Sequence, residues 1–289
     1  MGRRGSSGVS VVVNPALPLV TLVTPSFNQG QFLEETLLSV QRQDYPRVEH
    51  IVVDGGSSDG SLDIIRRHER RLARWVREPD RGQTDAIAKG FHLATGDIFA
   101  WLNSDDLLMP SAVGVVVREL TREPALGLVY GDRIEIDAKG NVLNAVRLPS
   151  HRDGMFRRNF TIPQETAFFS RQAYEAVGGV DTGLQFAMDF DLWVRLAAVA
   201  PMRHLPVFLG CYRRHGASKS VEMHADGSGQ KYSTESESVY RRHFGRGLPS
   251  RRMMFWYRAA SKGRLVIERA SRDYRRERGR LLAEAEGGS

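Results

Sequence analysis

The chain has 289 residues, 41% of them hydrophobic, enough to bury a sizeable core as one large or two fused domains, which excludes a disordered or fibrous polypeptide. Its single cysteine, Cys211, excludes an internal disulfide and a multi-cysteine zinc site and points to a reducing compartment, so a cytoplasmic location is expected. The formal charge of +7 belongs to a tail: from Arg241 onward there are fourteen Lys and Arg against five Asp and Glu, leaving 27 basic and 29 acidic residues in the first 240, and no nucleic-acid partner is expected.

No stretch reaches the roughly 18 consecutive apolar residues that span a bilayer, and the Gly-, Ser- and Arg-rich start lacks the apolar core of a signal peptide. Residues 1–17 read as a flexible leader. Leu19–Thr24 predicts a strand that stops at Pro25, and Pro-Ser-Phe-Asn-Gln-Gly (25–30) a turn-forming loop, followed by a helix with Leu33, Leu37 and Val40 on one face. A second strand, His50–Val53, ends at Asp54 and the glycine-rich loop 55–60, with Leu62, Ile64 and Ile65 on the next helix. Asp54 presents an acceptor at a strand's carboxyl end, suited to an imide N–H or a sugar hydroxyl, whereas Asp59 or Ser61 reads as a helix cap. A third strand, Ala73–Arg77, leads through residues 78–83 to a helix from Thr84 to Leu93 that Thr95-Gly96 closes.

The apolar run Ile98–Leu102 then meets Asn103-Ser104-Asp105-Asp106. A buried strand that ends in oxygen ligands is a place for a cation, and Asp105 or Asp106 can equally cap the following helix. Four strands alternating with helices, each ending in a polar loop, predict an α/β nucleotide-binding sheet with its site beyond the strands' carboxyl ends. Neither Gly-x-Gly-x-x-Gly nor Gly-x-x-x-x-Gly-Lys occurs, so the usual phosphate loops are excluded.

From Leu128–Asp132 the pattern changes: Ile134, Ile136 and Val142–Val146 alternate around Lys139-Gly140-Asn141, as in a hairpin. Further on, Leu192, Leu196 and Val199 make a helical core face that takes in Trp193. Asp189 and Asp191, two apart, cannot share a helix face, so they have different jobs. Pro206–Tyr212 is the last predicted strand, and Arg213 to Ser220 after it reads as an anion site. The polar residues 222–238 read as a mobile flap or linker. In the tail, Trp256, Ala260, Gly263, Ile267, Ala270, Tyr274 and Leu281 form a seam ringed by arginines. Such a basic amphipathic helix packs on its own domain or rests on anionic lipid at the inner face of the membrane, and both readings stay open.

Thr24-Pro-Ser-Phe-Asn28, Val53-Asp-Gly-Gly-Ser-Ser-Asp-Gly60, Glu78-Pro-Asp-Arg-Gly82 and Leu102-Asn-Ser-Asp-Asp106, in this order, resemble the signatures of family 2 glycosyltransferases, over about Leu19–Ser220. The resemblance implies a GT-A fold, with a mixed, mostly parallel sheet flanked by helices, and the basic C-terminal helix read from the tail lies beyond it. Residues 18–132 would form the nucleotide-sugar-binding half and 133–220 the acceptor-binding and catalytic half of one domain, with 221–289 a linker and helical tail. It also implies a nucleotide-sugar donor, Mg²⁺ or Mn²⁺, and inversion at the anomeric carbon.

By the same resemblance, Thr24, Ser26, Asn28, Asp54, Arg81, Asp85, Asn103 and Ser104 bind the nucleotide sugar, and Asp105 and His215 the metal. Gln164, Glu165 and Arg213 face the acceptor or diphosphate, and Asp189 is the general base, with Asp191 a cap or structural. Asn103 departs from the family's usual Asp-x-Asp, and Ala88 stands where an Asn is usual before Gly90. The Gln-x-x-Arg-Trp signature of processive members is absent, so the expected reaction adds a single hexose from a UDP-sugar to a glycan or lipid-linked hydroxyl acceptor of polysaccharide or cell-envelope synthesis. A nucleotidyltransferase and a non-catalytic nucleotide-sugar-binding scaffold are the alternatives.

Overall fold

A computed structural model describes residues 17–158, 160–216 and 229–248, together with 272, 274–276, 278 and 279. The first half alternates as the sequence predicts: β1 (Val20–Ser26), α1 (Gly30–Gln41), β2 (Val48–Asp54), α2 (Ser61–His68), β3 (Arg74–Arg77), α3 (Gln83–Leu93) and β4 (Ile98–Trp101). There follow β5 (Leu107–Leu108), α4 (Ala112–Arg122), β6 (Leu128–Asp137), β7 (Val142–Val146), β8 (Ala167–Ser170), α5 (Arg171–Ala176), α6 (Met188–Val199), β9 (Met202–Arg214) and α7 (Gly229–Phe244).

These strands form one sheet in the order β3-β2-β1-β4-β8-β6-β9-β5, with β7 paired to β6. β3, β2, β1 and β4 are parallel, and their register sets Ser26 beside Asp54 and Asp54 beside Arg77. The loops after these strands therefore open on one edge, where α/β sheets bind ligands. β8 enters antiparallel between β4 and β6, and β9 runs parallel to β6.

Side-chain alternation divides two cores across the sheet. Val20, Leu22, Ile98, Ala100 and Leu102 pack with Val113, Val116 and Leu120 of α4. Phe99 and Trp101 point the other way and pack with Phe91, Phe169, Trp193 and Leu196. Trp101 and Trp193 stack with ring centroids 5.3 Å apart, and Trp193 Nε1 donates to Ile162 O, so α6 is fastened directly beneath the strand that ends in the acidic cluster.

Several expectations change. The boundary between residues 132 and 133 falls inside β6, at a bulge, so the two halves share one continuous strand. Residues 229–238, expected in a mobile flap, are helical: Val239 and Tyr240 of the same helix are fully buried, and a helix burying one narrow face keeps a polar composition. The expected flap's remaining residues, 222–228, lie outside the described ones. So do residues 1–16 and, of the tail seam, Trp256, Ala260, Gly263, Ile267, Ala270 and Leu281. Tyr274 is buried in a third core with Leu107, Ile134, Ile136 and Cys211, and Arg278 lies 3.2 Å from Glu35 of α1, so these two tail residues pack on the domain.

Candidate active site

The end of β1 and the loop after it carry the first group of expected residues. Thr24 is fully buried and its hydroxyl bonds His50 Nε2 at 2.9 Å, so its side chain serves the sheet. His50 is neutral, because burial drives its pKa down to about 3. Ser26 is buried, and its hydroxyl has no hydrogen-bond partner among the described residues. Asn28 adopts a positive φ of 51° and accepts from Ser58 N with its side-chain oxygen. Between them Phe27 is 58% exposed, a large ring left in solvent beside Gly55, and the sequence reading did not single it out.

Asp54 is fully buried, and its carboxylate accepts from the main-chain N–H groups of Gly56 and Ser57 at 3.1 and 2.9 Å. It shapes the glycine-rich loop, with Arg77 3.6 Å away. The N-cap position of α2 is Gly60, neither Asp59 nor Ser61 as expected, but Asp59 one residue earlier serves the helix start: its two oxygens accept from Ser61 N and from Gly30 N, tying the starts of α2 and α1 together. Arg81 and Asp85 pair at 2.9 Å, and that bond holds the Asp85 carboxyl below its ordinary range, as does Lys89 at 3.3 Å.

The acidic cluster after β4 is held from three directions. Thr36 of α1 donates to the carbonyls of Ser104 and Asp106 at 2.9 and 2.8 Å. Gln83, at the start of α3, donates to Asn103 Oδ1 at 2.5 Å, and Asn103 in turn donates to Asp106 Oδ2 at 3.3 Å. Asp106 also accepts from Gln164 Nε2 at 3.1 Å and from Arg213 N at 2.9 Å. Asp106 is therefore no helix cap. The next helix, α4, starts only at Ala112, and Asp106 is a buried acceptor that ties β4's end to β9. Burial pushes its carboxyl well above the ordinary range, and the charges of Asp105 and Glu165 add to that.

Asp105 and His215 converge, with Oδ2 and Nε2 2.9 Å apart. Phe32 packs its ring against His215, centroid to centroid 4.4 Å. Arg213 beside them donates from Nε to Asp105 O at 2.8 Å and pairs with Glu35 at 2.6 Å. No group of three or more His, Cys, Asp or Glu among the described residues forms a complete metal cage. The pair nonetheless fits a hard divalent cation held jointly with a diphosphate, since such sites use one or two carboxylates and leave the other positions to phosphate oxygens and water.

Glu165 is buried and lies 2.9 Å from Arg133, so its carboxyl is engaged inside the protein and not presented to solvent. Asp189 is half-buried in the first turn of α6, inside the helix and not before it, and its Oδ1 accepts from Phe190 N. Burial pushes its carboxyl up to about 6, and the Glu165 charge works in the same direction. Asp191 has the other job. Burial works to raise its carboxyl, but His243 at 2.7 Å and Arg195 at 2.7 Å bind it and hold it below its ordinary range.

A mixed sheet whose parallel strands open on a strand-end acidic cluster, with a raised carboxyl on a neighbouring helix, is the arrangement of an α/β protein that binds its ligand beyond the carboxyl ends of its strands. The glycosyl transferase family 2 model matches residues 21–177, and the chain belongs to that family. It is 31% identical over 201 residues to an uncharacterized glycosyltransferase of Mycobacterium tuberculosis, covering 67% of this chain and 73% of the relative. It is 27% identical over 214 residues to chondroitin synthase of Escherichia coli, covering 71% of this chain and only 30% of that longer protein. In fold it is similar to S. aureus TarS 1–349 in complex with UDP-GlcNAc (TM-score 0.62, 14% identity, 76% of this chain and 65% of that one). It is also similar to a mannosyltransferase of Pyrobaculum calidifontis in complex with GDP-Man and Mn²⁺ (TM-score 0.61, 21% identity, 99% and 80%).

Proposed function

We propose that the protein transfers one hexose from a nucleoside diphosphate sugar, most simply a UDP-sugar, to a hydroxyl of a glycan or lipid-linked acceptor in polysaccharide or cell-envelope synthesis, with inversion. The observation that carries this reading is the convergence of Asp105 and His215 at the edge where Ser26 and Asp54 also end. The donor lies across this edge, with Phe27 offering its exposed face to the base and Asn28, Asn103 and Ser104 their polar groups to the ribose and sugar. Asp54 acts there by shaping the loop that the nucleotide meets.

The acceptor hydroxyl oxygen attacks the anomeric carbon from the face opposite the diphosphate. The new C–O bond forms as the bond to the diphosphate oxygen breaks, and that oxygen keeps the electron pair. Asp189 takes the hydroxyl proton, and a carboxyl at about 6 is ionised at neutral pH yet basic enough for the task. Asp105 and His215 would hold Mg²⁺ or Mn²⁺, which when bound supplies Lewis-acid stabilisation of the leaving diphosphate. Arg133 and Arg213 add fixed positive charge close by.

The test is thermal stabilisation by UDP-, GDP- and dTDP-sugars with Mn²⁺, followed by donor turnover for wild type and Asp189→Ala. One nucleotide series should stabilise the protein, and the substitution should abolish turnover while leaving that stabilisation in place. Donor binding with no turnover by wild type across the panel would establish the non-catalytic scaffold instead.

A further inference from the structure

α6 begins without a cap of its own: Ala187 precedes it and offers no side-chain acceptor, so the turn that leads into the helix needs an acceptor from elsewhere for its main-chain N–H groups. The acceptor comes from α7. Glu235 Oε1 receives Phe186 N and Ala187 N, each at 2.7 Å, and both its oxygens lie 3.0 Å from Gln185 N. The same face of α7 continues down α6, where Tyr240 lies parallel to Phe190 at 6.3 Å between centroids and His243 binds Asp191 at 2.7 Å. The turn that Glu235 holds is also gripped by the donor half. Thr84 of α3 donates to Leu184 O at 2.6 Å, and Gln185 Nε2 donates to Arg81 O at 3.2 Å. Of the two residues between Arg81 and Thr84, Gln83 is the one that fastens Asn103.

We infer that Glu235 is a positioning residue for the transfer step: by capping α6 from α7 it fixes the turn 184–187 against α3, and so sets Asp189 relative to the donor held at Asn103 and Asp105. This rests on the reading of Asp189 as the base. The N–H groups that Glu235 accepts belong to residues 185–187, directly before Met188, and losing that acceptor loosens the entry to the helix in whose first turn Asp189 stands.

The test compares full-length wild type, Glu235→Ala, Glu235→Gln and Asp189→Ala by nucleoside diphosphate release from the UDP-, GDP- and dTDP-sugar panel with Mn²⁺. Amide hydrogen exchange at residues 185–187 is read alongside. Glu235→Ala should lower kcat by about 10- to 100-fold, the cost of a misplaced catalytic group, while KM for the donor stays within about twofold. Its amides at 185–187 should exchange faster than in wild type. Glu235→Gln keeps the oxygen that serves Phe186 and Ala187 and should recover most of kcat. Wild-type kcat in Glu235→Ala, with Asp189→Ala inactive, overturns the inference and leaves the base intact. Turnover surviving in Asp189→Ala overturns the base assignment itself. Should Glu235→Ala fail to fold, Glu235→Asp, one methylene too short to span the three N–H groups, is read by the same criteria.

Discussion

His215 Nε2 lies 2.9 Å from Asp105 Oδ2, across 110 positions of sequence, and the two side chains meet from the loop after β4 and the end of β9. A cation held by only two protein groups depends on both. Asp105→Ala should therefore abolish the Mn²⁺-dependent part of the thermal stabilisation given by the donor, and His215→Ala should weaken apparent Mn²⁺ affinity by about 10-fold or more. The measurement is melting temperature with the donor, titrated with Mn²⁺. An unchanged titration in Asp105→Ala removes that residue from the metal site.

Asp189 sets the expected pH dependence. Its carboxyl stands at about 6 when folded and at the ordinary 3.8 when unfolded, so the folded chain holds a proton that the unfolded chain releases between these values. Folding stability should fall as pH rises through that window, and Asp189→Asn should recover on the order of 1 kcal/mol at pH 8 and nothing at pH 3, a figure reduced for the solvent that reaches this half-buried side chain. Turnover moves oppositely, because only the ionised carboxylate accepts the acceptor's proton. The rate in wild type should rise with pH through about 6 and then level. Parallel pH profiles of wild-type rate and of the difference in melting temperature between the two proteins check both.

Asp106 is a structural acceptor in a catalytic neighbourhood. Its oxygens receive N–H groups from Arg213, Asn103 and Gln164, and all three donors would be left inside the protein by Asp106→Ala. A loss of about 2–4 kcal/mol in unfolding free energy is expected, from buried donors without acceptors. Denaturant titration measures it. A loss below about 1 kcal/mol would mean that these donors find other partners.

The parts of this arrangement that were legible in the sequence are the local ones. β1 through β4 and their helices announce themselves by period and by the loops that end them, because strand, turn and helix follow one another within about thirty residues. The position of Asp105, a carboxylate just beyond a buried strand, was readable for the same reason. Asp106 was not. Its predicted cap role failed because Leu107 and Leu108 pair with Cys211 and Gly210 of β9, an interaction across about a hundred positions that defers the helix to Ala112. α7 was hidden by its polar composition, since only its inner face, with Val239 and Tyr240, is buried. Glu235 left no local signal, because the N–H groups it caps lie 48 to 50 positions earlier.

Asn103 gains its meaning from this non-local network. By resemblance alone, Asn103→Asp should restore a lost carboxylate and strengthen metal binding. In the structure, however, the Asn103 amide donates to buried Asp106 at 3.3 Å, and burial together with the Asp105 and Glu165 charges already disfavours ionised Asp106. An aspartate at 103 would replace that donor with a third clustered negative charge. Asn103→Asp should therefore destabilise the protein in the absence of metal and donor, by about 1–2 kcal/mol at pH 8 and by less at pH 5, since lowering the pH favours the protonated form of the Asp106 carboxyl, whose pKa burial already raises. Mn²⁺ with a nucleoside diphosphate should offset the loss, since added positive charge relieves the repulsion. Melting temperatures at both pH values, with and without Mn²⁺ and UDP, distinguish the two views. A variant as stable as wild type at pH 8 without metal would show that the Asn103–Asp106 bond contributes little, and that the usual aspartate was replaced for some other reason.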